Sequence, residues 1–435
     1  MNTFKSLLYN TLLASATNNF LWFALTFWAY LETKSVLATA IIGGSFMLFS
    51  ALLGMYFGTY VDRHKKKTAM LASSWTTLIS FALATVVYFT TPNGQLLNIG
   101  NIYFWLLVIL ILFGAVAGNL RAIALSTSVT LLTPEKEHDR ANGMVATVNG
   151  VSFTLTSVFS GLAVGQLGMD WVMIISLVLT LLATLRLAAI KVDEKQPTHE
   201  MNAMPQVDIR GAIKAIALVS GLMGLIFFTT FNNLLSGVFM ALMDPYGLEL
   251  VSVEIWGILW GVVSLGYIAG GILVAKKGLG KSPLKALFIA NIIMWTISIL
   301  FPLKSSVILL GVSMLIFMAL MPFIEASEQT IIQKVVPFKK QGRVFGFAQS
   351  IESAASPITS FLIGPIAQFW AIPYMSENGE GAAAIGSWFG VGPERGMALL
   401  FIMAAIIGLT VTVLAMFSRS YRLLSRYYKE GSAQA

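Results

Sequence analysis

Apolar residues run along this chain in long blocks instead of the alternating or three-to-four spacing of a water-soluble core. Crossing the hydrocarbon of a bilayer takes about 20 consecutive apolar residues in a helix. Blocks of that order occupy residues 4 to 31, 36 to 60, 68 to 90, 101 to 132, 141 to 166 and 170 to 190. A second series follows at 211 to 241, 251 to 275, 283 to 303, 306 to 335, 344 to 371 and 396 to 418. The pattern predicts an all-α integral membrane protein of twelve transmembrane helices. The first block is too long for the core of a cleavable signal peptide and lacks a basic leader, so it is read as the first span.

The two series repeat one another. Thr17-Asn18-Asn19-Phe20 returns as Thr230-Phe231-Asn232-Asn233-Leu234, and Gly58 to Arg63 is echoed by Gly271 to Lys276. Pro134, Arg140 and Gly143 match Pro337, Arg343 and Gly346 in the same order. These offsets predict two six-helix bundles related by a parallel repeat, 1–190 and 211–435, the second ending in a short cytoplasmic tail. Residues 191–210, rich in Lys, Asp, Glu and Gln, read as a cytoplasmic linker. Parallel halves around a site near the membrane midplane suit alternating access.

Composition agrees with lipid as the solvent: 57% of the 435 residues are hydrophobic and 11% charged. The net charge of +8 could point to nucleic acid, but its distribution follows membrane topology. With both termini cytoplasmic, 24 of the 28 Lys and Arg fall inside, with Lys34, Lys304 and Arg395 outside and Arg121 within a span. Nucleic acid is therefore not an expected partner. The absence of cysteine excludes disulfides and thiolate chemistry, and the three histidines all fall in polar connecting segments, so no metal site is expected.

Between the second and third spans, Gly58-Thr59-Tyr60-Val61-Asp62-Arg63-His64-Lys65-Lys66-Lys67 resembles the signature loop of the major facilitator superfamily, with Lys65 where many members have glycine. Gln341-Gly342-Arg343-Val344-Phe345-Gly346 and the overall spacing resemble the macrolide-efflux and drug:proton antiporter branch. Two departures stand out. The fifth span has no Gly-Pro pair of the antiporter type, and Arg121 lies deeper than the usual fourth-helix arginine. The resemblance implies that the first, fourth, seventh and tenth helices line a cavity. Gly58, Asp62, Arg63, Lys67, Arg140 and Arg343 would then serve in gating. Asp62 is the informative member, because plain anchoring by a basic turn needs no acid.

An ionised side chain at membrane depth costs at least about 2.5 to 3.5 kcal/mol and so demands a partner, water or a function. Arg121, Glu325, Glu328 and Glu352 fall in this class. Arg121 precedes Pro134 by 13 residues, while Glu325 and Glu328 precede Pro337 by 12 and 9, so their depths nearly coincide. One arginine cannot neutralise three glutamates, and clustered carboxylates oppose one another's ionisation. Proton coupling through Glu325, Glu328 and Glu352 is one reading, a static bridge from Arg121 to a glutamate is a second, and a role confined to binding cationic substrates is a third. Asn18, Asn19, Asn232 and Asn233 can hydrogen-bond a substrate or tie helices together. Trp22, Phe23, Phe227, Phe231 and Met240 can form an adaptable apolar wall.

The expected protein is a secondary active transporter of the bacterial cytoplasmic membrane, exporting small amphipathic drug-like molecules in exchange for protons. It is expected to act as a monomer without an organic cofactor. A lysophospholipid or siderophore transporter of the same architecture, meeting an anionic substrate with Arg121, is the first alternative. A non-transporting membrane receptor is the second. No nucleotide-binding loop, metal cluster or catalytic triad suggests an enzyme.

Overall fold

The computed structural model describes residues 2–133, 138–192, 209–280 and 282–433, and their regular structure is helical throughout. The first half comprises α1 (Asn2–Thr33), α2 (Val36–Arg63), α3 (Lys66–Thr90), the single turn α4 (Asn93–Leu96), α5 (Ile102–Leu132) and α6 (His138–Ala189). The second comprises α7 (Ile209–Ala217), α8 (Leu222–Leu250), α9 (Val253–Lys277), α10 (Pro283–Leu300), α11 (Val307–Val335) and α12 (Phe338–Ile366). It continues with α13 (Ile372–Met375), α14 (Glu380–Phe389), α15 (Pro393–Phe417) and α16 (Arg419–Ala433). Among the described residues, ten helices are long and apolar enough to cross a membrane. One of them, α6, bends at Gly168 into two spans, and the 32-residue α1 supplies the twelfth.

The chain divides into two compact units, Met1–Met201 with Val251–Gly261, and Asn202–Leu250 with Val262–Ala435. In the first unit, one layer of apolar core gathers Leu21, Leu25 and Ala29 of α1 with Phe104 and Ile111 of α5. A second gathers Phe4, Leu7, Val61, Met70 and Leu187. The core of the second unit includes Leu222, Ile226, Phe288, Ile331 and Leu424.

Polarity is turned inside out on α3. Ser73, Ser74, Thr77 and Ser80 are buried, whereas Trp75, Ile79, Leu83 and Val86 stand exposed. In water this arrangement would be unfavourable on both faces; in lipid the apolar side chains meet hydrocarbon and the hydroxyls find partners within the bundle. Ser73 donates to the Ala117 carbonyl at 2.7 Å and Thr77 to the Gly114 carbonyl at 2.9 Å. The close approach depends on Gly114, where a Cβ would come within 2.6 Å of the Phe81 ring.

Capping fixes several helix starts. Ser35 accepts from the Ala38 amide at 3.1 Å and opens α2 after a two-residue connection. Ser282 and Ser306 do the same for α10 and α11. Gly168, at φ 79 and ψ 170, adopts backbone that only glycine accepts readily, and it separates the two spans of α6 where the apolar blocks predicted a break.

The structure corrects the expected boundaries at three places. The block at 211 to 241 is not one helix: α7 ends at Ala217 and α8 begins at Leu222, because Gly221 takes φ 89 with its Cα face against the Ser420 carbonyl. The span then runs on to Leu250, carrying Pro245 within it, since Tyr246 is buried against Phe301 and Phe401. The block at 344 to 371 starts earlier, at Phe338 after the Pro337 cap, and closes in a π turn, Ala367–Ala371. The connection before α15 contains the helix α14, and the expected tail is helical through Ala433. Most of the expected linker, residues 193–208, lies outside the described residues.

Candidate functional site

In the second unit, three helices bring polar groups to one point. Glu328 of α11 and Glu352 of α12 both reach the hydroxyl of Thr229 on α8, Glu352 Oε1 at 2.5 Å and Glu328 Oε1 at 3.2 Å. Thr229 is buried and the carboxyls are half-buried. Its hydroxyl additionally lies 3.2 Å from the Leu225 carbonyl and 3.1 Å from that of Ile226. A threonine hydroxyl carries one hydrogen, so it cannot serve four oxygens at once.

Glu325, three residues before Glu328, does not join the pair. Its Oε2 accepts from the Tyr267 hydroxyl of α9 at 2.7 Å, on an exposed part of the helix. The expected three-acid cluster is therefore a close pair with a third acid held apart.

The asparagines after Thr229 are engaged. Asn232 donates to the Phe228 carbonyl at 2.8 Å and accepts from the Trp295 indole at 2.8 Å. Asn233 donates to the Thr229 carbonyl at 3.1 Å, and Ser356 of α12 donates to the Asn233 carbonyl at 2.7 Å. Asn232 thus fastens α8 to α10, whereas the α8 to α12 contact is closed through the backbone of Asn233. Phe231 is half-buried; Phe227 and Met240 are exposed.

In the first unit, Arg121 of α5 is buried. Its Nη1 donates to Asn10 Oδ1 at 2.7 Å, its Nη2 donates to Ser74 Oγ, and Asn10 Nδ2 in turn donates to the Ala183 carbonyl at 2.8 Å. The guanidinium is held by α1 and α3 through neutral groups, with Asn10 in turn tied to α6. It lines a cavity of about 280 Å³ together with Asn18, Asn19 and Phe153. Asn18 donates to the Ala115 carbonyl at 2.9 Å, while its own Oδ1 is buried without a hydrogen-bond partner among the described residues. Trp22 stacks on Phe46 with ring centres 4.4 Å apart, and Phe23 meets Phe153 edge-on at 5.3 Å, so both belong to the aromatic packing of this unit.

The signature loop forms the junction between α2 and α3. Lys67 Nζ donates to the Ala188 carbonyl at 3.0 Å, at the C-terminal end of α6, where a cation also meets the negative end of the helix dipole. Lys66 Nζ donates to the Val61 carbonyl at 2.6 Å, and the His64 ring stacks on Tyr60. Arg63 is exposed, and a methyl group at Gly58 would meet no atom within 4 Å. The side chains of Asp62, Arg140 and Arg343 lie outside the described ones.

Thr229, Asn10 and Ser74 were not singled out from the sequence. Asn10 had a readable signal, an amide inside an apolar block. Single Ser and Thr residues carry almost none, since they satisfy a carbonyl one turn back on any membrane helix.

Residues 7–360 match the sequence profile of the Major Facilitator Superfamily. Macrolide efflux protein A of Streptococcus pyogenes is 22% identical over 354 residues, spanning 79% of this chain and 84% of that protein. The fold is similar to that of a bacterial homolog of the human lysosomal transporter Spinster in an inward-facing, unoccupied conformation. That likeness has a TM-score of 0.70 at 15% identity and covers 99% of this chain and 98% of that one. The nucleoside transporter NupG is also similar, with a TM-score of 0.65 at 12% identity over 96% of this chain and 100% of that one.

Proposed function

Because the chain belongs to the Major Facilitator Superfamily, we propose that this membrane transporter is a proton-coupled exporter of small amphipathic molecules, with Glu328 and Glu352 as its proton site. The observation that carries the reading is their convergence on the single hydroxyl of Thr229. Two carboxyls around one hydroxyl hydrogen are comfortable with a proton between them and repel without it. Gaining or losing that proton changes what α8, α11 and α12 can hold together, which is the differential free energy that coupling requires. Protons are the coupling ion, no organic cofactor takes part, and one chain is the working unit.

Export and an amphipathic substrate rest on the likeness to macrolide efflux protein A. The same likeness supports a bacterial cytoplasmic membrane, and the concentration of Lys and Arg in alternate connections supports cytoplasmic termini. Gating is assigned to the loop from Gly58 to Lys67 with Arg140 and Arg343, where Lys67 on the end of α6 is the kind of contact that opening must break.

The test is transport by purified protein in liposomes under an imposed pH gradient, with a cationic dye, a macrolide and a lysophospholipid as parallel probes. Gradient-driven accumulation of the dye or the macrolide, abolished in Glu328→Gln and Glu352→Gln, is the expected result. Movement of the lysophospholipid alone would replace the substrate class. Equal accumulation with and without the pH gradient would remove proton coupling.

A further inference from the structure

The first unit holds a charge that its described residues leave unbalanced. Arg121 is 4% exposed, and its partners among the described residues are the neutral Asn10 and Ser74. A guanidinium offers five N–H donors, so these two partners leave donors over. A buried cation is strongly unfavourable until a counter-charge or ordered water joins it.

Next to it lies a cavity able to admit one. All its walls come from α1, α3, α5 and α6 of the same unit, and its volume of about 280 Å³ exceeds several times the roughly 30 Å³ share of a water molecule. Its lining is polar where the charge is: Asn19, Ser152, Thr180 and Thr184 join Arg121. Ser152 is buried with its hydroxyl unpartnered among the described residues, and so is the Oδ1 of Asn18. Ser152 can give a hydrogen to an anion, whereas Asn18 Oδ1 needs one from a water in the same space.

We propose that this cavity binds a small monovalent anion, of the class of chloride or a short carboxylate, against the Arg121 guanidinium, with Ser152 as a second donor. The charge count limits the class: one cation, with no second positive group among the described lining residues, does not favour a phosphate dianion. The site is independent of Glu328 and Glu352, so it can fail or stand whatever couples transport.

The test is thermal unfolding of the purified full-length protein in detergent while sodium gluconate is exchanged for sodium chloride, or for sodium acetate, at constant ionic strength. A bound anion gives a saturable rise in Tm of roughly 2 °C or more. Ser152→Ala should raise the half-saturating concentration about fivefold, and Arg121→Met should abolish the response. A rise with both anions assigns the site to free inorganic anions as well as carboxylates, and a rise with acetate alone assigns it to the carboxylate of an organic solute. Should Arg121→Met fail to fold, crystals of the wild type grown in bromide provide the second measurement, with an anomalous peak expected beside Arg121. The same Tm in all three salts, a chloride response retained by Arg121→Met, or bromide-grown crystals without that peak would overturn the proposal.

Discussion

Arg121 and Glu328 occupy corresponding stretches of the two repeats, counted back from Pro134 and Pro337, yet the Arg121 centre and the Glu328–Glu352 pair are built in opposite ways. Arg121 is fixed: an asparagine on α1 and a serine on α3 hold its guanidinium, and that asparagine is itself tied to α6. The acids are underdetermined, because two carboxyls and two carbonyls compete for the one hydrogen of Thr229. A donor that meets a separate acceptor on each of two helices holds those helices in one arrangement. A group with more acceptors than hydrogens changes its bonding when a proton arrives. The repeat thus supplies one rigid and one switchable polar centre from similar positions.

The largest effect should come from the switchable centre. Glu352→Gln and Glu328→Gln replace a titrating group by an amide of the same shape that can still meet Thr229. Accumulation driven by a pH gradient is expected to disappear, while substrate exchange without a gradient persists and the pH dependence of substrate affinity flattens. Stability should change by less than about 1 kcal/mol, because a hydrogen bond is replaced and not simply lost. Wild-type accumulation in both variants would place proton coupling elsewhere.

The rigid centre should respond in the opposite way. Asn10→Leu removes the acceptor of Arg121 and the donor to Ala183, leaving a buried cation still less satisfied. Loss of a hydrogen bond to a charged group, with its partner stranded, costs about 3 kcal/mol. Thermal unfolding should register this as a clear fall in Tm, with the protein that remains folded still coupled to protons. A stable variant that transports without coupling would reverse the roles of the two centres.

The contrast between the repeats also tells how far the residues could be read before the fold was known. Block length and the offsets of 213 and 203 made twelve helices and a repeat legible, because lipid imposes a length on every span. Arg121, Glu328 and Glu352 were legible because charge is rare in such blocks. Their partners were not: Thr229 and Ser74 look like any hydroxyl that bonds its own helix, and only the neighbouring helices make them meeting points. The break at 218–221 was hidden for a related reason, since α16 contributes the Ser420 carbonyl against which Gly221 turns.

Two glycine bends extend the comparison to the backbone. Gly168 and Gly221 both have positive φ, but a Cβ at Gly168 would meet nothing within 4 Å, whereas at Gly221 it would lie 2.3 Å from the Ser420 carbonyl oxygen. Gly168→Ala should therefore cost only the backbone strain, about 1 to 2 kcal/mol. Gly221→Ala adds a clash with main chain that cannot rotate away, and it should be the more destabilising of the two in thermal unfolding. Equal losses would mean that α16 yields to the new methyl group.

The smallest effect should come from the acid that the structure sets apart. Glu325 has the same helix and nearly the same depth as Glu328. Its carboxylate accepts from Tyr267 of α9 on an exposed surface, away from the single hydrogen contested at Thr229. A phenol supplies that hydrogen directly. Exposed hydrogen bonds of this kind contribute about 1 kcal/mol or less. Glu325→Gln and Tyr267→Phe should therefore keep gradient-driven transport within about twofold of the wild type and leave the pH profile in place. A loss of coupling in Glu325→Gln as complete as in Glu328→Gln would make the three acids one titrating unit, and Thr229 would no longer mark the proton site.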